Sequence, residues 1–305
     1  MVPYLLFYKI AQLFIIMLLG FLLVRLKIIN SSDSRVLSKI SLYLLMPAAI
    51  INAFNVELTQ DIKNGLFWAF AAAVIIHILF LIFDRLYARV TKASVTERAS
   101  VIYSNAANLI IPIVSFVLGE EWVIYSCAYM SVQIVLLWTY GISLFDKSRK
   151  ADIRKIIFNV NIIAIITGAL IMLLGIKLPS IVKDVTSSLG SMLGNVGMLI
   201  AGMLMAQMSF KKLFSDKLVY RAVLMRMIAL PVVVLAFLKG LNMLVGEPFV
   251  RSVLLVSFLA SITPSAATVM QFAQLHGGDE DAAVSINIIS TAFCIITMPI
   301  FVALY

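Results

Sequence analysis

The chain has 305 residues, of which 62% are hydrophobic and only 13% are charged, and this composition excludes a soluble globular protein. The balance is typical of an integral membrane protein embedded in a lipid bilayer. Its net charge of +9 is expected from basic cytoplasmic loops, so we expect no nucleic-acid partner. Cys127 and Cys294 stand alone in apolar stretches, without the clustering that metal or redox chemistry needs, so we expect no metal and no cofactor.

A helix that crosses a bilayer needs about 20 mostly apolar residues. Ten segments of the sequence meet this requirement, and they leave no room for a soluble domain. Numbered one to ten in chain order, the predicted segments are 5–24, 36–54, 64–83, 99–118, 122–145, 156–175, 185–208, 218–238, 249–273 and 282–304. Segment one is longer than the apolar core of a signal peptide and lacks a small-residue cleavage site, so we expect it to remain as a spanning helix.

The positive charges lie mostly on one side of the predicted membrane. The linkers that follow segments one, three, five and seven, with their flanks, hold 18 of the 24 lysines and arginines, and the opposite side holds 6. Short loops rich in lysine and arginine stay in the cytoplasm. We therefore predict a multi-pass protein of the plasma membrane with both termini outside the cell.

Ten segments divide into two halves of five, and an odd number per half gives the halves opposite orientations in the membrane. Sliding the first half onto the second by 152 residues places Pro112 of segment four on Pro264 of segment nine and aligns an identical Ser-Val pair. The sequence therefore predicts an all-α membrane protein with ten transmembrane helices in a five-plus-five inverted repeat. The first repeat is expected in residues 1–150 and the second in residues 151–305.

Segments four and nine each combine a proline with surrounding polar side chains. Proline removes a backbone donor and clashes with the preceding turn, so both helices are predicted to be discontinuous near the middle of the membrane. Helix N-termini meeting there would offer partial positive charge and free N–H groups to an anion. Proline kinks stabilised by nearby Ser and Asn are the alternative. The predicted binding residues are Asn105, Asn108 and Pro112 in segment four and Ser261, Thr263, Pro264 and Ser265 in segment nine.

Three further polar side chains within the segments are candidates for accessory roles. His77 in segment three could carry a coupled proton, and a packed or carbonyl-bonded histidine is the alternative. Arg226 in segment eight could attract an anion on the cytoplasmic side or extend to the membrane interface. Asn52 lies near Pro47 in segment two. All 15 acidic residues fall in linkers or at segment ends, so we expect no buried carboxylate for Na⁺ or proton coupling.

Segment seven carries glycines among methionines, a pattern that predicts a close helix contact or a sliding surface. The glycines are Gly190, Gly194, Gly197 and Gly202, and Asn195 is the polar side chain at depth. The chain has no HExxH motif, no glycine-rich phosphate loop and no acidic pair within a segment, so we do not expect an enzyme.

These motifs resemble the auxin efflux carrier family, which includes plant PIN-type carriers and bacterial permeases for malate and malonate. The most specific match is an asparagine seven residues before a proline in segment four, here Asn105 and Pro112. Pro264 in segment nine, Pro299 in segment ten, Pro47 in segment two and the glycines of segment seven also fit. The likeness therefore spans the whole chain.

The resemblance implies that segments four and nine cross at their broken centres and hold a carboxylate-bearing substrate there. Asn105 would be the principal side-chain donor, with Asn195 facing it. Segments one, two, six and seven would form the scaffold of a homodimer, and segments three to five and eight to ten would move as a unit in an elevator-like alternating-access cycle. The short central linker, 146–155, is unlike the long loop of plant carriers and favours a bacterial-type organic-anion permease.

Two other functions are compatible with the sequence. A sodium-coupled carrier of the bile-acid symporter type resembles this fold, and backbone carbonyls with Gln271, Gln274 and Asn287 could hold Na⁺. A membrane protein that senses a ligand or acts as a scaffold could bind at the crossover without completing a transport cycle. Sodium dependence of uptake distinguishes the first, and ligand binding without flux distinguishes the second.

Overall fold

The computed structural model describes residues 2–145, 153–206 and 216–305, and all regular secondary structure within these ranges is helical. The helices in chain order are α1 Val2–Arg25, α2 Ser34–Ile40, α3 Met46–Ala53, α4 Gln60–Thr91, α5 Val95–Ile102, α6 Ala106–Val117, α7 Val123–Leu136, α8 Ile142–Phe145, α9 Ile153–Ile157, α10 Val160–Leu173, α11 Ser180–Met205, α12 Lys217–Leu224, α13 Leu230–Val245, α14 Pro248–Ser261, α15 Ala267–His276 and α16 Glu280–Leu304. The predicted all-α class is confirmed.

Seven stretches in the described part of the chain are long and apolar enough to cross a membrane. They are Pro3–Arg25, Ser31–Ala53, Gln60–Thr91, Glu120–Phe145, Ser180–Met205, Lys217–Val245 and Glu280–Leu304, and they coincide with predicted segments one, two, three, five, seven, eight and ten. Segment six forms the shorter apolar helix α10. Segments four and nine are each divided into two helices, α5 with α6 and α14 with α15.

Three of the long helical stretches pass through a π turn. The turns Ser41–Leu45, Leu137–Gly141 and Met225–Ala229 join α2 to α3, α7 to α8 and α12 to α13. Pro47 and Pro231 follow two of these turns in the first positions of the next helix. Proline lacks an N–H and its ring clashes with the carbonyl four residues earlier, and in both places that carbonyl lies within the π turn. The wider turn therefore accommodates each proline without ending the helix.

The two interruptions do not follow the predicted register. Pro264 lies between α14 and α15, as expected, but Pro112 lies inside α6, and the first interruption comes earlier, at residues 103–105. The helices that precede the two interruptions end at Ile102 and Ser261, which are 159 residues apart. The predicted shift of 152 residues therefore does not superimpose the interruptions. The prediction that Pro112 breaks its helix is wrong. A membrane helix can contain a proline where surrounding groups satisfy the backbone carbonyl that the proline leaves unbonded.

Helix α11 packs very closely against α1 and α3. A methyl group added at Gly202 would overlap the backbone carbonyl of Met17, and a Cβ atom at Gly20 on α1 would lie 2.5 Å from the Leu199 carbonyl oxygen of α11. On another side of α11, a Cβ atom at Gly190 would lie 3.0 Å from the Cα of Ala49. The glycines of segment seven thus form the close helix contact that the sequence predicts, and α10 completes this group by packing on α3.

Among the residues that the structure describes, two carboxylates are buried, contrary to the sequence-based expectation. Arg98 makes two hydrogen bonds to Asp84, at 2.9 and 2.7 Å, and the Tyr140 hydroxyl donates a third at 2.5 Å. Arg221 makes two hydrogen bonds of 2.7 Å to Glu97. Both acidic side chains are 0% exposed. Two neighbouring residues of α5 therefore form ion pairs with different helices: Arg98 with Asp84 of α4, and Glu97 with Arg221 of α12.

Candidate functional site

The two interruptions meet and satisfy each other's backbone groups. The Asn105 N–H donates to the Pro264 carbonyl at 2.8 Å, and the Ala266 N–H donates to the Tyr103 carbonyl at 2.9 Å. These reciprocal bonds form an antiparallel bridge centred on Ser104 and Ser265. A chain segment that leaves the helical conformation inside a membrane must find partners for its backbone groups, and here each interruption supplies them to the other. We call this junction the paired break.

A glutamine on α7 fixes the first half of the paired break. Gln133 donates from its amide nitrogen to the Ser104 carbonyl at 2.9 Å. Its amide oxygen accepts from the Ser104 N–H at 3.2 Å and from the Ser104 hydroxyl at 2.5 Å. Sequence reasoning missed Gln133, although a buried glutamine in an apolar segment is a signal that could have indicated it.

Two residues of α16 hold the second half in a similar way. The side-chain amide of Asn287 donates to the Ser265 carbonyl at 2.6 Å, and the Ser290 hydroxyl accepts from the Ser265 N–H at 3.1 Å. Asn287 was a candidate Na⁺ ligand, but the structure places its amide on the backbone of the paired break. Ser290 was not predicted.

Two helix N-termini point into the paired break. α6 begins at Ala106 after Asn105, and α15 begins at Ala267 after Ala266. The first N–H groups of a helix lack partners within the helix and carry partial positive charge. The Asn105 side chain does not cap α6, and instead its oxygen accepts from the side-chain amide of Asn108 at 3.1 Å. Backbone N–H groups and amide side chains are donors suited to an anion.

The C-terminal ends of α5 and α14 converge on Arg226, whose side chain is 0% exposed. Its guanidinium donates to the Val101 carbonyl at 3.1 Å, to the Ser261 carbonyl at 2.6 Å and to the Thr263 carbonyl at 3.0 and 2.7 Å. The Phe80 ring lies 5.6 Å from the guanidinium carbon. The alternative in which Arg226 extends to the membrane interface is therefore wrong, because the side chain is buried among carbonyls.

The predicted serine and threonine donors have separate roles. The Ser261 hydroxyl donates to the Phe258 carbonyl at 2.6 Å, and the Thr263 hydroxyl donates to the Ala260 carbonyl at 3.0 Å. Both side chains therefore satisfy carbonyls at the end of their own helix. The Ser265 hydroxyl is buried and has no hydrogen-bond partner among the residues that the structure describes. Of the three, only Ser265 has a hydroxyl free to bind a ligand.

His77 is buried beside the first interruption, and its Nδ1 donates to the Ala73 carbonyl at 2.7 Å. Its ring lies 4.6 Å from the ring of Tyr129, whose hydroxyl is 3.3 Å from that of Ser104. The carbonyl-bonded alternative for His77 is thereby confirmed.

Two glycines of α11 face α6. A Cβ atom at Gly194 would lie 2.7 Å from Pro112, and one at Gly197 would lie 3.5 Å from the Cβ of Asn108. The absence of side chains on this part of α11 therefore allows α6 to approach it closely. The Pro112 ring of segment four therefore packs on Gly194, which has no side chain to collide with it.

Each of the remaining candidate residues either lies apart from the paired break or has a side chain outside the described part of the structure. Asn195 is exposed, and at 3.6 residues per turn it projects about 100° away from Gly194 around α11. Asn105 is only 6% exposed, and the arrangement in which Asn195 faces it stays a prediction. Asn52 is half-buried near the end of α3. The side chain of Gln271 lies outside the described residues, as does that of Gln274.

Comparison with known proteins agrees with a membrane-embedded site. The sequence matches the profile of a family described as membrane transport protein over residues 5–302. No match was found among curated proteins. The family match covers almost the whole chain, including every helix of the paired break. The chain therefore belongs to this family of membrane transporters, the auxin efflux carrier family that its motifs resemble.

Proposed function

We propose that the protein is a secondary transporter that carries a small organic anion, such as a mono- or dicarboxylate, across the plasma membrane. The observation that carries this proposal is the paired break, where the N-termini of α6 and α15 meet while a buried arginine engages the C-terminal ends of α5 and α14. The N-termini of α6 and α15, which carry partial positive charge, are thus left for a ligand. The C-terminal ends of α5 and α14, which carry partial negative charge, are already bound by the arginine. This polarity favours an anion.

The proposed architecture has ten membrane crossings in two inverted halves, residues 1–150 and 151–305, with both termini outside the cell. Seven long apolar stretches, the helix α10 and the two interrupted pairs α5–α6 and α14–α15 account for these crossings. The interrupted pairs would cross at the paired break. Reciprocal backbone bonds between one interrupted pair in each half support this arrangement.

The proposed cycle is elevator-like, with α4 to α8 and α12 to α16 moving against a scaffold of α1 to α3, α10 and α11 in a homodimer. The ion pairs Asp84–Arg98 and Glu97–Arg221 support a rigid moving unit, because they join α5 to both α4 and α12. The glycines of α11 support a surface along which α6 could slide.

We assign substrate binding to the N–H groups that begin α6 and α15, with Asn105, Asn108 and Ser265 as side-chain donors. Asn105→Ala is expected to lower the initial rate of uptake by at least about tenfold, the loss of one charge-assisted hydrogen bond. The measurement is uptake of labelled malate, malonate, lactate and indole-acetate into proteoliposomes. Thermal stability in detergent should stay near that of the wild type.

Asn64→Ala is the matched control, because Asn64 is an exposed asparagine on α4 that pairs only with the neighbouring Gln60 among described residues. It should leave uptake unchanged. A large loss of stability in Asn105→Ala would instead assign Asn105 to helix packing. Stabilisation of the wild type by one of the four acids without flux at any imposed gradient would favour a ligand sensor over a transporter.

A further inference from the structure

Arg226 lies in a cage of carbonyl oxygens beside the proposed substrate site. Its four hydrogen bonds to the carbonyls of Val101, Ser261 and Thr263 range from 2.6 to 3.1 Å. The Phe80 ring closes one side of the cage, 5.6 Å from the guanidinium carbon. A ring of backbone carbonyls is also the kind of site that binds Na⁺ or K⁺, and the two helix C-termini add negative partial charge.

The charge of Arg226 is balanced by dipoles and not by an acid. No carboxylate of the described residues forms an ion pair with it, and the buried acids Asp84 and Glu97 are paired to Arg98 and Arg221. A buried unpaired charge is costly unless its surroundings supply an opposite one. An anion held at the N-termini of α6 and α15 would supply that charge next to the cage.

The cage is connected directly to the paired break. Thr263 precedes Pro264, whose carbonyl accepts the Asn105 N–H, and Val101 lies two residues before Tyr103, whose carbonyl accepts from Ala266. By holding Val101 and Thr263, Arg226 fixes both chain segments that present the helix N-termini. Arg226 would thus act on the substrate through the backbone, as a positioning residue.

We propose that Arg226 is a tethered cation, which occupies the carbonyl cage that a free coupling cation would otherwise fill, so that anion binding and transport require neither Na⁺ nor K⁺. This inference rests on the proposed function and specifies how its site is charged.

The test uses the full-length protein in proteoliposomes with the same four labelled acids. Wild-type uptake should change by less than about twofold when choline replaces all Na⁺ and K⁺, because the cage already holds its cation. The uptake rate of Arg226→Ala should be at least about tenfold lower than that of the wild type. Guanidinium chloride at constant ionic strength should restore a large part of the lost rate. Chemical rescue of this kind reports the cage itself and would not follow from a general packing defect.

Arg251→Ala is the matched control, because Arg251 also donates to a backbone oxygen, that of Tyr305, but is exposed. Its uptake should be near wild type and insensitive to guanidinium. Sodium-dependent wild-type uptake would overturn the inference even if Arg226→Ala fails to fold, and so would a folded Arg226→Ala protein that guanidinium does not rescue or that transports normally. Absence of wild-type flux for all four acids would instead contradict the proposed function.

Discussion

Replacing Arg98 with methionine is expected to lower the free energy of unfolding by about 3–5 kcal/mol, the range found when one partner of a buried ion pair is removed. Arg98 makes two hydrogen bonds to Asp84, which is fully buried. Methionine keeps much of the apolar stem but leaves the carboxylate with the Tyr140 hydroxyl and without a counter-charge. An unfolding titration of the detergent-solubilised protein, followed by tryptophan fluorescence, would measure the loss.

Two further variants distinguish the effect of the unpaired Asp84 charge from a general loss of packing. Adding Asp84→Asn to Arg98→Met removes the charge and is expected to recover at least about 1 kcal/mol of the loss. Arg251→Met, at an exposed arginine, should remain within about 0.5 kcal/mol of the wild type. If Arg98→Met were as mild as Arg251→Met, water would have to reach Asp84 in the folded protein, and the buried pair would not be a source of stability.

These carboxylates show what hydropathy along a chain does not reveal. Asp84 and Glu97 lie close to the ends of apolar segments, where an acid is expected to meet water. Burial depends on neighbours from other parts of the chain, and Arg221 is 124 residues away from Glu97. A sequence that is read as separate segments predicts where the helices are. It does not predict which helix ends are buried by other parts of the chain. The all-helical class was predictable for the same reason, because it depends only on local composition.

The two helix interruptions could be predicted in part, but their bonding could not. The interruption at Pro264 lies where its proline and polar neighbours predicted it, whereas the first interruption lies at residues 103–105 and not at Pro112. The predicted shift of 152 residues relied on matching two prolines, and it does not superimpose the two interruptions. Pro112 is accommodated by Gly194 on another helix, and no pattern within segment four contains that information.

Arg226 illustrates the same limit. Two turns from the predicted cytoplasmic end of its segment, a long basic side chain is expected to reach the interface. The structure instead directs it inward from the π turn Met225–Ala229, toward carbonyls supplied by α5 and by the end of α14. A cage formed by backbone atoms leaves no residue-type signature. The cage can be inferred only when it is known that the two interruptions meet.

Gly202→Ala is expected to destabilise the protein by about 2–3 kcal/mol, in the upper part of the range for overpacking. The added methyl group would overlap the Met17 carbonyl, which belongs to the backbone of α1 and cannot move aside as a flexible side chain would. The two helices must therefore separate, which loses contacts along the whole α1–α11 interface. The same fluorescence-detected unfolding titration, with uptake as a second readout, measures the effect.

Gly240→Ala is the matched control for this change. A Cβ atom at Gly240, inside α13, would have no heavy atom within 4 Å in the described structure, so the substitution adds helix propensity without a clash. It should stabilise the protein by about 0.5–1 kcal/mol. Opposite signs for the same substitution at two helical glycines would establish that close approach, and not flexibility, requires glycine at position 202. Equal and small effects would mean that α1 and α11 can separate at little cost, and the rigid scaffold of the proposed elevator cycle would lose its physical basis.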